Sequence, residues 1–137
     1  SMSDLTAFLC ELPIENRTKQ VVISNRFKDT DGNPLPWTIR GISFEEACEI
    51  EKQCVVRDAK TGVQYVDNTA QAIKQIAACV VDPNLNNARL QDHFKVKTPE
   101  ALIGKLLTPA EGRKLLAEIR SLNDESMVED ALEPAKN

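Results

Sequence analysis

The chain has very few of the residues from which catalytic and ligand-binding centres are usually built. Of its 137 residues a single one is histidine, and aromatic residues make up 4%, too few for a platform on which nucleic-acid bases stack. The five glycines are isolated, so the chain has no glycine-rich phosphate-binding loop. No apolar run approaches the length that crosses a bilayer, and the N-terminus lacks the pattern of a signal peptide. We therefore expect a cytoplasmic protein that does not interact with a membrane.

The cysteines do not follow a metal-binding pattern. None stands in a Cys-x-x-Cys pair, and His93 has no second histidine, whereas a zinc site needs four ligands at short paired spacings. We interpret Cys10, Cys48, Cys54 and Cys79 as free thiols in a reducing compartment. No catalytic residue, metal site or cofactor is predicted. The alternative from a different class of function is an enzyme in which His93 activates the thiol of Cys48 or Cys54.

The net charge is −4, and the basic residues are scattered along the sequence. Proteins that bind nucleic acids neutralise phosphates with clustered lysine and arginine. Because this chain has no such cluster, we predict that it has no nucleic-acid partner. The carboxylates are numerous, but they occupy positions typical of helix caps and solvated helix faces.

Two stretches predict an N-terminal β-hairpin. Residues 19–24 are rich in β-branched side chains and indicate a strand that continues to Phe27. Residues 37–40 alternate between apolar and polar, which places Trp37 and Ile39 on a buried face. Residues 29–34 lie between them and favour a turn; they loosely resemble a calcium-binding loop but lack its terminal glutamate. Residues 55–66 predict a second, smaller hairpin, with an irregular loop as the alternative.

The other signals predict short helices. The first predicted helix covers Asp4 to Glu11 with Ser3 as cap, and a capping box of Ser43 and Glu46 opens the second, which ends at about Cys54. A third helix extends from Asp67 to about Asp82, and a short one covers residues 88–94. The last two helices are opened by Thr98-Pro99 and Thr108-Pro109. The predicted buried faces include Phe44, Ala47, Ile50 and Cys54 in one helix and Ile73, Ile76, Ala77 and Val80 in the next. The last two helices are predicted to bury Leu102, Ile103, Leu106 and Leu107, and Leu115, Leu116, Ile119 and Leu122.

These elements together predict an α+β fold that is mostly α. The hairpin packs with a bundle of four to six short helices in one globular domain, residues 1–122. Residues 123–137 are acidic and poor in apolar side chains, and we expect them to be a weakly structured tail.

Three stretches, in order and nearly spanning the chain, resemble the XkdN-like phage tail assembly chaperones of PBSX-type phage-like elements and related tailed phages. The first is Ile23-Ser24-Asn25-Arg26-Phe27-Lys28-Asp29 with the following strand up to Arg40. The others are Val80 to Asp92, which contains Pro83-Asn84-Leu85, and Leu106-Leu107-Thr108-Pro109-Ala110-Glu111. The family often carries an acidic residue at the position of Asn25.

The resemblance implies a role in tail assembly without catalysis. Members of the family bind the tape measure protein, keep its long helices soluble and help to recruit tail tube subunits. Many also have a second form, extended at the C-terminus by a ribosomal frameshift. Apolar helix faces of the kind predicted here need a cover, and we therefore expect a homo-oligomer. The alternative within phage biology is a structural component of the finished tail.

Overall fold

The computed structural model describes residues 2–9 and 14–123, and over these ranges the chain is mostly helical with small antiparallel sheets. This confirms the predicted fold class. The helices are α1 (Met2–Leu5), α2 (Phe44–Gln53), α3 (Asn68–Cys79), α4 (Ala88–Phe94), α5 (Pro99–Leu106) and α6 (Pro109–Asn123). The strands are β1 (Thr18–Val21), β2 (Trp37–Arg40), β3 (Val55–Arg57), β4 (Gln64–Val66) and β5 (Val80–Asp82).

The main sheet is built on β2, which lies between β1 and β5. β1 and β2 are antiparallel, with Val21 opposite Trp37. Trp37 and Ile39 are buried, because alternate residues of a strand face the same side of the sheet. The predicted hairpin and its buried face are confirmed.

The first strand is shorter than predicted, because β1 ends at Val21 and does not continue to Phe27. The chain then leaves the sheet so that Arg26 can reach Glu111 on α6. The predicted turn follows. The carboxylate of Asp29 accepts hydrogen bonds from the backbone N–H groups of Asp31 and Asn33, and Gly32 has a φ of 83°, a conformation that favours glycine.

The strand β5 corrects a prediction of helix. The helix capped by Asp67 was expected to reach about Asp82, but α3 ends at Cys79 and the next three residues pair with β2. Val80 therefore lies opposite Ile39 in the sheet. Adjacent valines suit a strand, and over so short a run the apolar pattern does not distinguish a strand from a buried helical turn.

The smaller hairpin is confirmed. β3 and β4 pair antiparallel from Val55 opposite Val66 to Arg57 opposite Gln64. In the turn between them the carboxylate of Asp58 accepts hydrogen bonds from the N–H groups of Lys60 and Thr61. These bonds lower the pKa of Asp58. The alternative of an irregular loop is thereby excluded.

Helices α2, α3, α5 and α6 begin where the side-chain caps predicted them. Ser43, Asp67 and Thr98 each accept a hydrogen bond from a backbone N–H in the first turn, which satisfies a donor that the helix itself leaves unpaired. The capping box predicted at Ser43 is only half formed, because the carboxylate of Glu46 accepts from the guanidinium of Arg40 at 2.7 Å. Asn87 caps α4 in the same way as the others.

The core lies where β2 meets the helices, and its fully buried side chains are Ile39, Cys79, Leu102, Leu115 and Ile119. Ile50 and Cys54 of the predicted α2 face are buried and Ala47 is half-buried, but Phe44 is 84% exposed. Phe44 is the first residue of α2, directly after the cap, so its side chain precedes the turns that pack on the core.

Close packing also depends on Gly41, just after β2. A Cβ atom there would overlap the backbone carbonyl of Ile14. The short 3-10 helix Ile14–Asn16 can therefore lie directly on the end of β2.

Two predictions at the chain ends fall partly outside the described residues. The first helix begins at Met2, so Ser3 lies within it and is not its cap, and a 3-10 turn over Thr6–Phe8 follows. Residues 10–13, with Cys10, lie outside the described ranges, as do residues 124–137 of the predicted tail. Asn123 belongs to α6, where its side-chain oxygen accepts from the N–H of Ile42 at 2.7 Å.

Candidate functional site

A groove of about 740 Å³ lies between α3, α5 and α6 and is open to solvent. Its lining is largely aliphatic, and its larger apolar members are Ile73, Ile76, Ile103, Leu107 and Leu116. Ile76 and Ile103 belong to the buried core, whereas the other three are half-buried. An apolar groove between helices is the kind of surface on which another protein lays the apolar face of an amphipathic helix.

Two glycines leave open space in the groove. Gly104 on α5 and Gly112 on α6 both line it, and a Cβ atom added at either position would meet no atom within 4 Å. Glycine inside a helix costs about 0.5–1 kcal/mol relative to alanine, and neither position needs glycine to avoid a clash in the described part of the chain. Both glycines instead leave room for a second backbone to approach the two helices closely.

The charge along the groove has one sign. Arg113 and Arg120 are its only charged lining residues, and both are exposed. Neither guanidinium forms an ion pair with a carboxylate of residues 2–9 or 14–123. An apolar surface edged by two arginines favours a partner that has acidic residues beside its apolar face.

The junction between α5 and α6, which forms one end of the groove, is held by Arg26. Its guanidinium donates to both carboxylate oxygens of Glu111, at 2.7 and 2.9 Å, and to the backbone carbonyl of Leu106 at 2.6 Å. Two parallel bonds between arginine and a carboxylate fix direction as well as distance. The long β1–β2 connection is thereby attached to the helices that build the groove.

Glu111 also completes the cap of α6. Its carboxylate accepts from the N–H of Thr108, while the hydroxyl of Thr108 accepts from the N–H of Glu111, which is a full capping box. Glu111 is 5% exposed, and a buried carboxylate needs such partners. The hydrogen bond from Arg26 holds the pKa of Glu111 far below its ordinary value.

Phe27 continues this arrangement into the sheet. The Arg26 guanidinium lies 4.9 Å from the centre of the Phe27 ring, and Phe27 packs edge-on against Trp37 at 5.5 Å between ring centres. The Arg26-Phe27 pair and the Thr108-Pro109-Ala110-Glu111 stretch, two of the motifs on which the family resemblance rests, are therefore joined in space.

The thiols and the histidine do not form a reaction centre within the described ranges. Cys54 and Cys79 are buried and Cys48 is half-buried, and burial raises the pKa of Cys79 to about 11. His93 is exposed on α4 and its ring packs against Phe94. No hydrogen bond joins His93 to Cys48 or Cys54, so the structure gives no support to the thiol–histidine alternative.

Residues 2–9 and 14–123 contain neither a metal-binding cluster nor a membrane-spanning helix. No group of three or more histidine, cysteine, aspartate or glutamate side chains is arranged to hold a metal ion. None of the helices in these ranges is both long enough and apolar enough to cross a membrane.

The groove itself was not predicted from the sequence, although its parts were. The apolar faces of the three helices were recognised, but periodicity does not show which part of a face stays uncovered. The one available signal was the pair of glycines inside helices, because a glycine there costs stability and calls for a packing or functional reason.

Comparison with known proteins agrees with the sequence resemblance. Residues 5–136 match the family model described as phage XkdN-like tail assembly chaperone protein. The chain is 28% identical to the uncharacterized protein YqbN of Bacillus subtilis strain 168, over 98% of this chain and 93% of YqbN. It is 26% identical to the phage-like element PBSX protein XkdN of the same strain, over 98% of this chain and 94% of XkdN.

The fold is also shared with a solved structure. The crystal structure of YqbN superposes with a TM-score of 0.68, covering 85% of this chain and 92% of that one at 20% identity. At that identity the superposition establishes the common fold.

Proposed function

The chain belongs to the XkdN-like family of phage tail assembly chaperones, and on this premise we propose that the groove between α3, α5 and α6 binds an amphipathic helix of the tape measure protein. The observation that carries the proposal is the groove itself, which is lined mostly by aliphatic side chains and also by two helical glycines and by the exposed Arg113 and Arg120. Binding in this groove would cover the apolar face of a tape measure helix and so keep that helix soluble during tail assembly.

The proposal places the chain in the cytoplasm of the bacterial host while the phage or prophage is expressed. There it acts without catalysis, and it helps to bring tail tube subunits to the tape measure protein. The predicted homo-oligomer belongs to the same proposal, because exposed apolar surface has to be covered until the client is made.

The test fills the groove without disturbing the fold. In Gly112→Gln the new side chain enters space that no described atom occupies, and glutamine is a better helix former than glycine. Displacing one buried aliphatic side chain of the client removes about 1.5–3 kcal/mol of burial. We expect binding of the tape measure protein of the same phage, measured by calorimetry, to weaken by roughly ten- to a hundredfold.

The matched control is Ala117→Gln, which adds the same side chain to an exposed position of α6 that does not line the groove. It should bind the tape measure protein as the parent chain does. Equal binding by Gly112→Gln and Ala117→Gln, with both chains folded, would show that the client binds elsewhere.

A different experiment separates the chaperone from a structural component of the tail. A chaperone leaves once the tail is built, so mass spectrometry of purified particles should detect the tape measure and tail tube proteins without this chain. A stoichiometric amount of the chain in finished particles would instead identify it as a structural component.

A further inference from the structure

The negative charge of the protein is concentrated in the segment that follows α6. Residues 124–137 contain Asp124, Glu125, Glu129, Asp130 and Glu133 against a single basic residue, Lys136. This difference accounts for the entire net charge of −4, so residues 1–123 are neutral as a whole. The segment and the arginine-edged groove therefore have complementary charges.

The segment also has the pattern of an amphipathic helix. Met127, Val128, Ala131 and Leu132 recur at the i, i+3 and i+4 spacings that place side chains on one helix face. Glu125 and Asp130 fall at the two margins of that face at 100° per residue. This is an apolar stripe with acidic margins, the chemistry that an apolar groove edged by Arg113 and Arg120 selects.

The length and the attachment point are compatible with binding in the same chain. The groove face of α6 extends from Pro109 to Arg120, a rise of roughly 16 Å, and Arg120 lies within one turn of Asn123, where the segment begins. Asn123 is fixed by hydrogen bonds to Ile42 and to the carbonyl of Ile119. A short turn followed by a few turns of helix, roughly 15 Å, would run back along the groove.

We propose that residues 124–137 occupy the groove of their own chain until a client helix displaces them. The segment is tethered next to its site, so a weak interaction is enough to hold it there. The groove stays covered while the protein is free, and a client with a longer apolar face replaces the segment by competition. This inference rests on the proposed function only in naming that client site.

The test uses the full chain with methyl NMR. The groove methyl groups of Ile73, Ile103 and Leu116 report on what lies in it. Val128→Asp combined with Leu132→Asp removes the apolar stripe of the segment, and we expect these methyl resonances to shift toward positions typical of a solvent-exposed groove. The control is Ala135→Asp combined with Asn137→Asp, which adds the same charge outside the stripe and should leave the resonances unchanged.

Two outcomes would overturn the inference. Identical groove spectra for the parent chain and the stripe variant would show that the segment does not lie in the groove. A difference that disappears on dilution would show that the segment comes from a second copy, since binding within one chain does not depend on concentration.

Client affinity then distinguishes this inference from the proposed function. If the segment occupies the groove in nine molecules of ten, the stripe variant should bind the tape measure protein about tenfold more tightly. The methyl spectra of the stripe variant could instead show an unoccupied groove while its affinity for the client is unchanged. That result would refute the groove as the client site and leave the docking of the segment established.

Discussion

Glu111 shows how one residue can connect three parts of the protein. Its carboxylate receives the Arg26 guanidinium from the β1–β2 connection and the Thr108 N–H from the first turn of α6. The same guanidinium reaches the last carbonyl of α5, that of Leu106. The β1–β2 connection, the end of α5 and the start of α6 are therefore held together around one buried negative charge.

The charge of Glu111 can be removed with little change of shape by Glu111→Gln. Hydrogen bonds to charged groups contribute about 1.5–3 kcal/mol, so we expect the free energy of unfolding in urea to fall by roughly that amount. The matched control on the same helix is Glu118→Gln, which breaks a more exposed ion pair to Lys19 and should cost less than about 1 kcal/mol. Equal losses from the two variants would contradict the role given to Glu111.

The stability that Glu111 contributes should depend on pH with a definite sign. The pKa of Glu111 in the folded protein lies below its ordinary value of 4.5, so the unfolded chain takes up a proton there first. The contribution is therefore complete above about pH 4.5 and is lost as the pH falls further. The gap in unfolding free energy between the parent chain and Glu111→Gln should be smaller at about pH 3 than at about pH 7, and a constant gap would argue against a charged partner for Arg26.

The buried thiols give a second prediction for single residues. With its pKa raised to about 11, Cys79 exists as thiolate in roughly one molecule in a thousand at pH 8, and its position in the core blocks access. Among the three cysteines of the described ranges, alkylation followed by mass spectrometry should modify the half-buried Cys48 first, while Cys54 and Cys79 react only as the protein unfolds. Rapid alkylation of Cys54 in the native protein would revive the thiol enzyme as a hypothesis.

Among the elements, α5 and α6 contain glycines that serve a different purpose from those in the turns. Gly104 and Gly112 have helical backbones and open space above them, whereas Gly62 in the β3–β4 turn has a φ of 72°. The helical glycines weaken their helices, and the turn glycine permits a left-handed conformation that other residues adopt at a cost of about 1–2 kcal/mol.

The same substitution should therefore have opposite effects at the two kinds of position. Gly112→Ala should raise the free energy of unfolding by about 0.5–1 kcal/mol, and Gly62→Ala should lower it by about 1–2 kcal/mol. Thermal and urea unfolding of the two variants would check this. A destabilised Gly112→Ala would mean that another part of the chain packs directly on the backbone of Gly112.

Local signals predicted most elements, because caps and turns act within a few residues. Ser43, Asp67 and Thr98 mark helix starts by a hydrogen bond three residues away, and that spacing is visible in the sequence. The strand β5 was missed because Val80 and Val81 become a strand only when β2 offers them a partner. The predicted burial of Phe44 was wrong for a similar reason, since the burial of a helix residue depends on which other elements pack against it.

The candidate site was predictable only in part for the same physical reason. The apolar faces of α3, α5 and α6 follow from periodicity, but the groove exists because the three faces leave a gap where they converge. The Arg26–Glu111 ion pair joins residues far apart in the sequence. Neither an isolated arginine nor a helix-capping glutamate indicates, by itself, that the two side chains form an ion pair.

For the whole molecule, the final prediction concerns self-association. Several apolar side chains are exposed outside the groove, among them Phe44, Val63 and Tyr65, and β3 and β4 form a two-stranded sheet whose outer edges are unpaired within the described residues. Such surface favours association between copies. We expect light scattering coupled to size exclusion to give a mass that rises with concentration over a roughly hundredfold range.

Tyr65 lies on β4 and Val63 lies beside it. If copies of the chain meet through the β3–β4 hairpin, Tyr65→Ser and Val63→Ser should shift the association toward the monomer, and Gly112→Gln in the groove should leave it unchanged. Loss of association in Gly112→Gln alone would move the contact between copies into the groove. A monomer at every concentration in the parent chain would remove the homo-oligomer from the proposed function, and the free protein would then have to rely on its own acidic segment to keep the groove covered.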